Sequence, residues 1–217
     1  ILRLEKYPLK GNLTRDNPKN KSIIMSHIAE TIWLDEVDST NSFAVENFDS
    51  FADGTLICAS RQTAGRGSRG RKWVSPPDVN VYASLILKGF RFAPGQAAWI
   101  GSLAALETLR RHAPRLDLSV KWPNDVLCGF RKIAGVLCDA KPSSGIVIGI
   151  GVNLNMDADS LAAVGRPATS FLVETKRHFR DVGSFAVEMA DAALTLYHSS
   201  LKKGIEPLHR IWSEENF

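Results

Sequence analysis

With 217 residues the chain can bury one sizeable core but not two full domains. Its 44% hydrophobic and 23% charged residues are ordinary for a globular protein, and its net charge of +4 is scattered rather than gathered into a basic run, so composition gives no argument for a nucleic-acid partner. No apolar run approaches a membrane span, the start lacks a signal-peptide pattern, and Cys58, Cys128 and Cys138 are odd in number without metal-site spacing, which points to free thiols in a reducing, cytoplasmic setting.

In chain order, residues 1–25 are polar, turn-prone around Gly11 to Asn20 and without sustained periodicity. They are expected to form a tail ahead of one domain over 26–217; the sequence begins without Met, and Met25 stands just before the first well-patterned segment. Thr31 to Val37 alternates as a strand does and runs into Asp38-Ser39-Thr40-Asn41, whose short polar side chains suit the N-cap of a helix from Ser42 to Phe48. Gly54 to Ser60 reads as a short buried strand delivering Arg61-Gln62-Thr63-Ala64 to a glycine-arginine loop, Gly65 to Trp73. There the glycines would let backbone amides turn inward on an anion, with Arg66, Arg69 and Arg71 as forked cations; a flexible linker is the plainer alternative.

Asn80 to Leu87 is apolar on both faces and is placed inside a covered sheet. Gln96 to His112 has helical spacing, stopped by Pro114, with Trp99 as scaffold. Leu118 to Lys121 reads as a strand, and Ile133 to Asp139 with Ile146 to Asn153 as a hairpin in which Gly145, Gly149 and Gly151 allow close approach of backbone or ligand. Asp181 to Leu201 is a long amphipathic helix, and Ile205 to Phe217 a shorter one. No internal repeat is evident.

The densest chemistry lies in Lys121 to Gly135, KWPNDVLCGFRKIAG. Charge of both signs between strands is costly unless it meets a charged ligand. Asn124 and Asp125 offer adjacent hard oxygens for a magnesium ion that arrives on ATP, and Lys121 and Lys132 are compact charges suited to a carboxylate or phosphate. Pro123 holds Trp122 extended on the approach to that pair.

KWPND followed by RKIAG resembles the signature of the biotin protein ligases. The resemblance runs in order from about Ile32 to Phe217, although only the motifs are specific. It implies an α+β fold, a mixed central β-sheet flanked by helices like the class II aminoacyl-tRNA synthetase core. It also implies a two-step reaction: biotin is activated by ATP and Mg2+ as biotinyl-5'-AMP, then passed to a lysine of the biotin carboxyl carrier domain of a carboxylase.

On the same basis, Lys132 falls to the carboxylate and α-phosphate, and Lys121 to phosphate or the incoming lysine, whose proton Asp125 would accept. Ser39, Thr40, Gln62, Gly65, Arg66 and Gly135 join Lys132 on the biotin side. Arg66, Gly67, Arg69, Arg71, Trp73, Lys121, Asn124 and Asn153 fall to the nucleotide. The family pattern GRGRxxRxW matches at Gly65, Arg66, Gly67, Arg71 and Trp73 but not at Ser68, where a hydroxyl replaces an arginine. A weaker grip on the intermediate is therefore expected, unless Arg69 substitutes. Neither the winged-helix DNA-binding domain of bifunctional members nor the SH3-like barrel that usually follows is expected within this sequence. An edge strand could serve a homodimer or the carrier. The alternatives are a lipoate or octanoate ligase of the same fold, and a non-catalytic biotin-binding module; a nucleic-acid-binding module fits least.

Overall fold

The computed structural model describes residues 27–217, so the expected tail over 1–25 lies outside the described residues. Seven strands form one sheet in the order β1-β2-β3-β7-β6-β5-β4. They are β1 (Glu30–Val37), β2 (Thr55–Gln62), β3 (Val81–Lys88), β4 (Leu118–Lys121), β5 (Asp125–Cys128), β6 (Arg131–Lys141) and β7 (Gly145–Val152). Only β1 and β2 are parallel, joined through α1 (Thr40–Glu46) as a parallel pair requires; the other neighbours are antiparallel. The mixed sheet expected from the sequence is present, and the Asn80–Leu87 strand is internal to it as β3.

One face of the sheet carries the main core. Long helices α2 (Pro94–His112) and α5 (Val182–Lys203) lie over it, with Ile100, Leu103, Phe185 and Met189 packed on Leu85, Val136, Ile148 and Val152. Helix α6 (Glu206–Glu214) joins this layer: Trp212 stacks on Trp99 and donates from Nε1 to Ser102 Oγ at 3.1 Å. The last residues then add to the β4 edge, where Phe217 N donates to Val120 O.

The opposite face is covered only in part. Phe43, Ala44 and Phe48 of α1 and the turn after it close over Ile57, Ile86 and Val147. Beyond that patch β3, β7 and β6 present Tyr82 and Ser84, Gly149 and Gly151, and Gly135, Leu137 and Asp139 on the same side, since side chains alternate along each strand. This part of the sheet is the floor of the site.

Three elements were not legible as such. Strand β5 has too few residues to show alternation, and helices α3 (Ala158–Ala162) and α4 (Phe171–Thr175) are single turns too short for a helical period.

Candidate active site

The floor is built of glycines that act as sockets. A Cβ at Gly149 would overlap the Asn41 side-chain amide, one at Gly151 would stand 2.5 Å from the Trp73 ring, and one at Gly135 would stand 2.7 Å from Lys132 Nζ. Gly135 and Gly151 are register partners on neighbouring strands, so a continuous shallow tray lies beneath Trp73 and Lys132.

At one end of the tray, polar side chains line a cavity. Ser39 caps α1, which brings Thr40 and Asn41 down onto the sheet. Gln62 Oε1, at the end of β2, accepts from Thr40 N at 2.9 Å and from Thr40 Oγ1 at 3.2 Å, while Gln62 Nε2 donates to Ser75 Oγ at 2.9 Å. The Ser84 hydroxyl lies 2.6 Å from Asn41 Oδ1 and 2.8 Å from Thr40 Oγ1. Asn41 Nδ2 donates to Leu137 O and to Asp139 Oδ2, both at 2.9 Å. Arg66 completes the rim: its guanidinium forks onto Asp139 at 3.1 and 3.2 Å. Thr40, Asn41, Gln62 and Ser84 thus satisfy one another, which holds this wall in one arrangement, whereas the buried Trp73 Nε1 has no hydrogen-bond partner among the described residues.

At the other end lies a second cavity, walled by Arg71, Lys72, Val74, Asn153, Met156 and Arg166. Gly67, Ser68, Trp73 and Lys132 line both cavities and form their common wall. Strict alternation would point Lys132 to the core face with Ala134 and Val136. Instead the β5–β6 register slips at Val126/Leu127, pairing Leu127 with Lys132 and leaving Ile133 as the extra residue, buried in the core. This bulge turns Lys132 onto the site face. There Nζ meets Asp125 Oδ1 at 2.5 Å and lies 5.2 Å from the centre of the Trp73 ring. Burial pushes the Lys132 ammonium below its ordinary range, Arg71 and Arg166 push the same way, and Asp125 opposes them. The backbone of Lys132 is clamped as well, donating to Pro167 O and accepting from Thr169 N.

The arrangement can bring an acid in one cavity against a polyanion in the other, with a cation at the junction. Three comparisons bear on it. Residues 33–157 match the model of the "Biotin/lipoate A/B protein ligase family". The chain belongs to this family. It is 32% identical over 189 residues to the biotin--[acetyl-CoA-carboxylase] ligase of Paracoccus denitrificans, covering 82% of this chain and 78% of that one. To the bifunctional ligase/repressor BirA of Escherichia coli K12 it is 38% identical over 132 residues, 57% of this chain; the match spans only 40% of that relative's length. Among solved structures, the biotin protein ligase of Aquifex aeolicus in complex with biotin and ATP superposes with a TM-score of 0.77 at 26% identity, covering 88% of this chain and 79% of that one.

Of the residues by which the chain resembles the biotin ligases, Ser39, Thr40, Gln62, Arg66, Asn124, Gly135 and Lys132 line the first cavity. Arg71 and Asn153 line the second, and Gly67 and Trp73 line both. Gly65 stands behind the wall, where a Cβ would meet the Trp73 carbonyl and the Ser75 hydroxyl. Asn124 is pinned on β6: its Nδ2 donates to Val136 O at 2.5 Å, and its own carbonyl accepts from Val136 N. Lys121 ends β4 as the register partner of Asp125; it is exposed and lines neither cavity. Arg69, exposed at φ 58°, likewise lines neither.

The expected inward-facing amides of the glycine-arginine loop need correcting. Gly67 N donates to Arg71 O, Arg71 N to Ser68 O and Trp73 N to Gly65 O, so the loop folds as a small hairpin that consumes these donors. Arg71 also turns back, onto the Ser68 hydroxyl at 2.7 Å. The site contains residues that sequence reasoning passed over, chiefly Asn41, Ser84, Asp139 and Arg166. Asn41 was visible only as the last residue of the capping tetrapeptide, and Asp139 only as the end of a strand.

Proposed function

We propose that this chain carries the catalytic core of an ATP-dependent biotin–protein ligase, which forms biotinyl-5'-AMP and transfers biotin to a lysine of a biotin carboxyl carrier domain. The observation that carries this reading is the pair of cavities meeting at Lys132 and Trp73. One offers uncharged hydrogen-bonding groups along Thr40, Asn41 and Gln62, fitted to the ureido group of biotin, and the cations Arg66 and Lys132, fitted to its carboxylate. The other is rimmed by Arg71, Lys72 and Arg166, fitted to phosphates.

In the first step the biotin carboxylate attacks the α-phosphorus and pyrophosphate leaves. The catalytic need is to bring two anions together. Arg66 at the rim and Lys132 at the junction supply the positive charge, and the Asp125 contact fixes where Lys132 points. In the second step the carrier amine attacks the carbonyl of the mixed anhydride and AMP departs; Asp125 is the proposed acceptor of the amine's proton. Among the described residues no three His, Cys, Asp or Glu side chains converge as a cation cage. The adjacent oxygens of Asn124 and Asp125 suit a magnesium ion that arrives on ATP and needs few protein ligands, and such an ion would neutralise phosphate charge. Cysteine chemistry is not required: burial pushes the Cys128 thiol up to about 11 and the Cys138 thiol up to about 12.

Among the described residues no helix is long and apolar enough to cross a membrane. Free Cys58, Cys128 and Cys138 support placing the enzyme in the cytoplasm. The partner is the carrier domain rather than nucleic acid. The decisive assay is pyrophosphate release from Mg-ATP with biotin, lipoate, octanoate or no acid. Release with biotin alone is expected, and Lys132→Ala should abolish it. Preference for lipoate or octanoate, or near-normal release by the variant, would overturn the assignment.

A further inference from the structure

The structure assigns Asp139 as the positioning residue for Arg66, an electrostatic anchor that sets the rim of the acid cavity before ligand arrives. This inference rests on the ligase reading for the identity of the acid, but not for the anchoring itself.

Arg66 lines the cavity; Asp139 does not, and approaches the guanidinium from outside it. The fork engages Arg66 NH1 and NH2 at 3.2 and 3.1 Å, and Ser42 Oγ lies 3.4 Å from NH1. A guanidinium has five N–H donors, so donors remain for a carboxylate or phosphate inside the cavity. Asp139 is itself fixed by Asn41 Nδ2 at 2.9 Å, and Asn41 sits in the socket of Gly149. The orientation of Arg66 is thereby tied to the rigid centre of the sheet, 73 residues away in sequence, rather than to its own loop. A pre-oriented cation loses less freedom on binding than one that must be ordered by the ligand.

The test compares Asp139→Asn, Asp139→Glu, Arg66→Ala and the double variant Arg66→Ala/Asp139→Asn. In biotin-dependent pyrophosphate release, Asp139→Asn should lower kcat/KM for the acid by about tenfold or more, mainly through KM, and Asp139→Glu should recover part of it. In the Arg66→Ala background, Asp139→Asn should add less than about twofold, because the asparagine oxygen can still accept from Asn41 Nδ2 and the charge it removes serves Arg66 alone. Independently of activity, ligand-free Asp139→Asn should be cut by trypsin at the Arg66–Gly67 bond at least about tenfold faster than wild type. An unchanged kcat/KM, effects that multiply in the double variant, or an unchanged cleavage rate would each overturn the anchor. A wild type that releases no pyrophosphate with any acid would instead defeat the ligase reading, leaving the cleavage comparison to decide the anchor.

Discussion

Replacing Gly149 with alanine tests the socketed floor most directly. The added Cβ would stand 2.6 Å from Asn41 Cγ and 2.8 Å from Nδ2, and closer still to Oδ1, so the amide must leave its place. Overpacking of this kind costs about 1–3 kcal/mol. Displacing Asn41 also breaks its bonds to Leu137 O, Asp139 and the Ser84 hydroxyl, and a buried polar group left unpaired costs about 1–3 kcal/mol. Water can reach part of this open face, so the smaller values apply, about 1–2 kcal/mol each, and the sum is about 2–4 kcal/mol. For a domain of this size that is a fall in Tm of about 4–16 °C. Urea and thermal unfolding followed by circular dichroism would measure it, with Gly95→Ala as the control. Gly95 lies in the first turn of α2 with nothing within 4 Å of its added Cβ, so alanine there should be neutral or stabilise by about 0.4–1 kcal/mol. In the folded Gly149→Ala protein, KM for the acid should rise while KM for ATP stays near wild type. A variant within about 1 kcal/mol of wild type would refute the claim that Asn41 is locked in the glycine gap.

Because burial, Arg71 and Arg166 lower the proton affinity of Lys132, the rate of adenylate formation should fall with rising pH at a lower pH than for an ordinary lysine. Asp125→Asn removes the one opposing carboxylate, so this alkaline limb should move further down in pH; NMR titration of labelled lysine would check it, and an unmoved limb would remove Asp125 from the account. Ser68 lines both cavities, so Ser68→Arg should restore a charged contact to the intermediate and slow its release by about tenfold; equal release of biotinyl-AMP from both proteins in a rapid-quench experiment would show that the hydroxyl costs nothing. Arg166→Ala should raise KM for ATP about tenfold with little effect on KM for biotin, in steady-state kinetics; equal changes in both would move Arg166 off the phosphate side.

Much of this architecture was legible in the sequence because its strands obey a period of two and its long helices a period of 3.6. The glycine-arginine and KWPND motifs also announced themselves, since charge packed among glycine and proline has few purely structural uses. What stayed hidden was which way the side chains point. Read by strict alternation, RKIAGV puts Lys132 beside Ala134 and Val136 on the core face, and only the extra residue at Ile133 turns it toward Asp125 and Trp73. No local signal in that stretch gives the bulge away, because Ile133 is as apolar as its neighbours. Asn41 and Asp139 were hidden for a different reason. Each looks like the end of an element, and their meeting joins residues 98 apart, a distance over which spacing carries no information.

The glycines connect these failures. In a strand, glycine forfeits packing and costs conformational entropy, so Gly135, Gly149 and Gly151 on two adjacent central strands break the local rule for sheet stability. Each break is filled by a larger side chain: Lys132 of the same strand over Gly135, and Asn41 and Trp73 from outside the sheet over Gly149 and Gly151. The sheet gives up intrinsic strand propensity at three points and receives in exchange three side chains seated on its most rigid strands. A cation, an amide and an indole held this way keep their positions without ligand, which catalysis by preorganised charge demands.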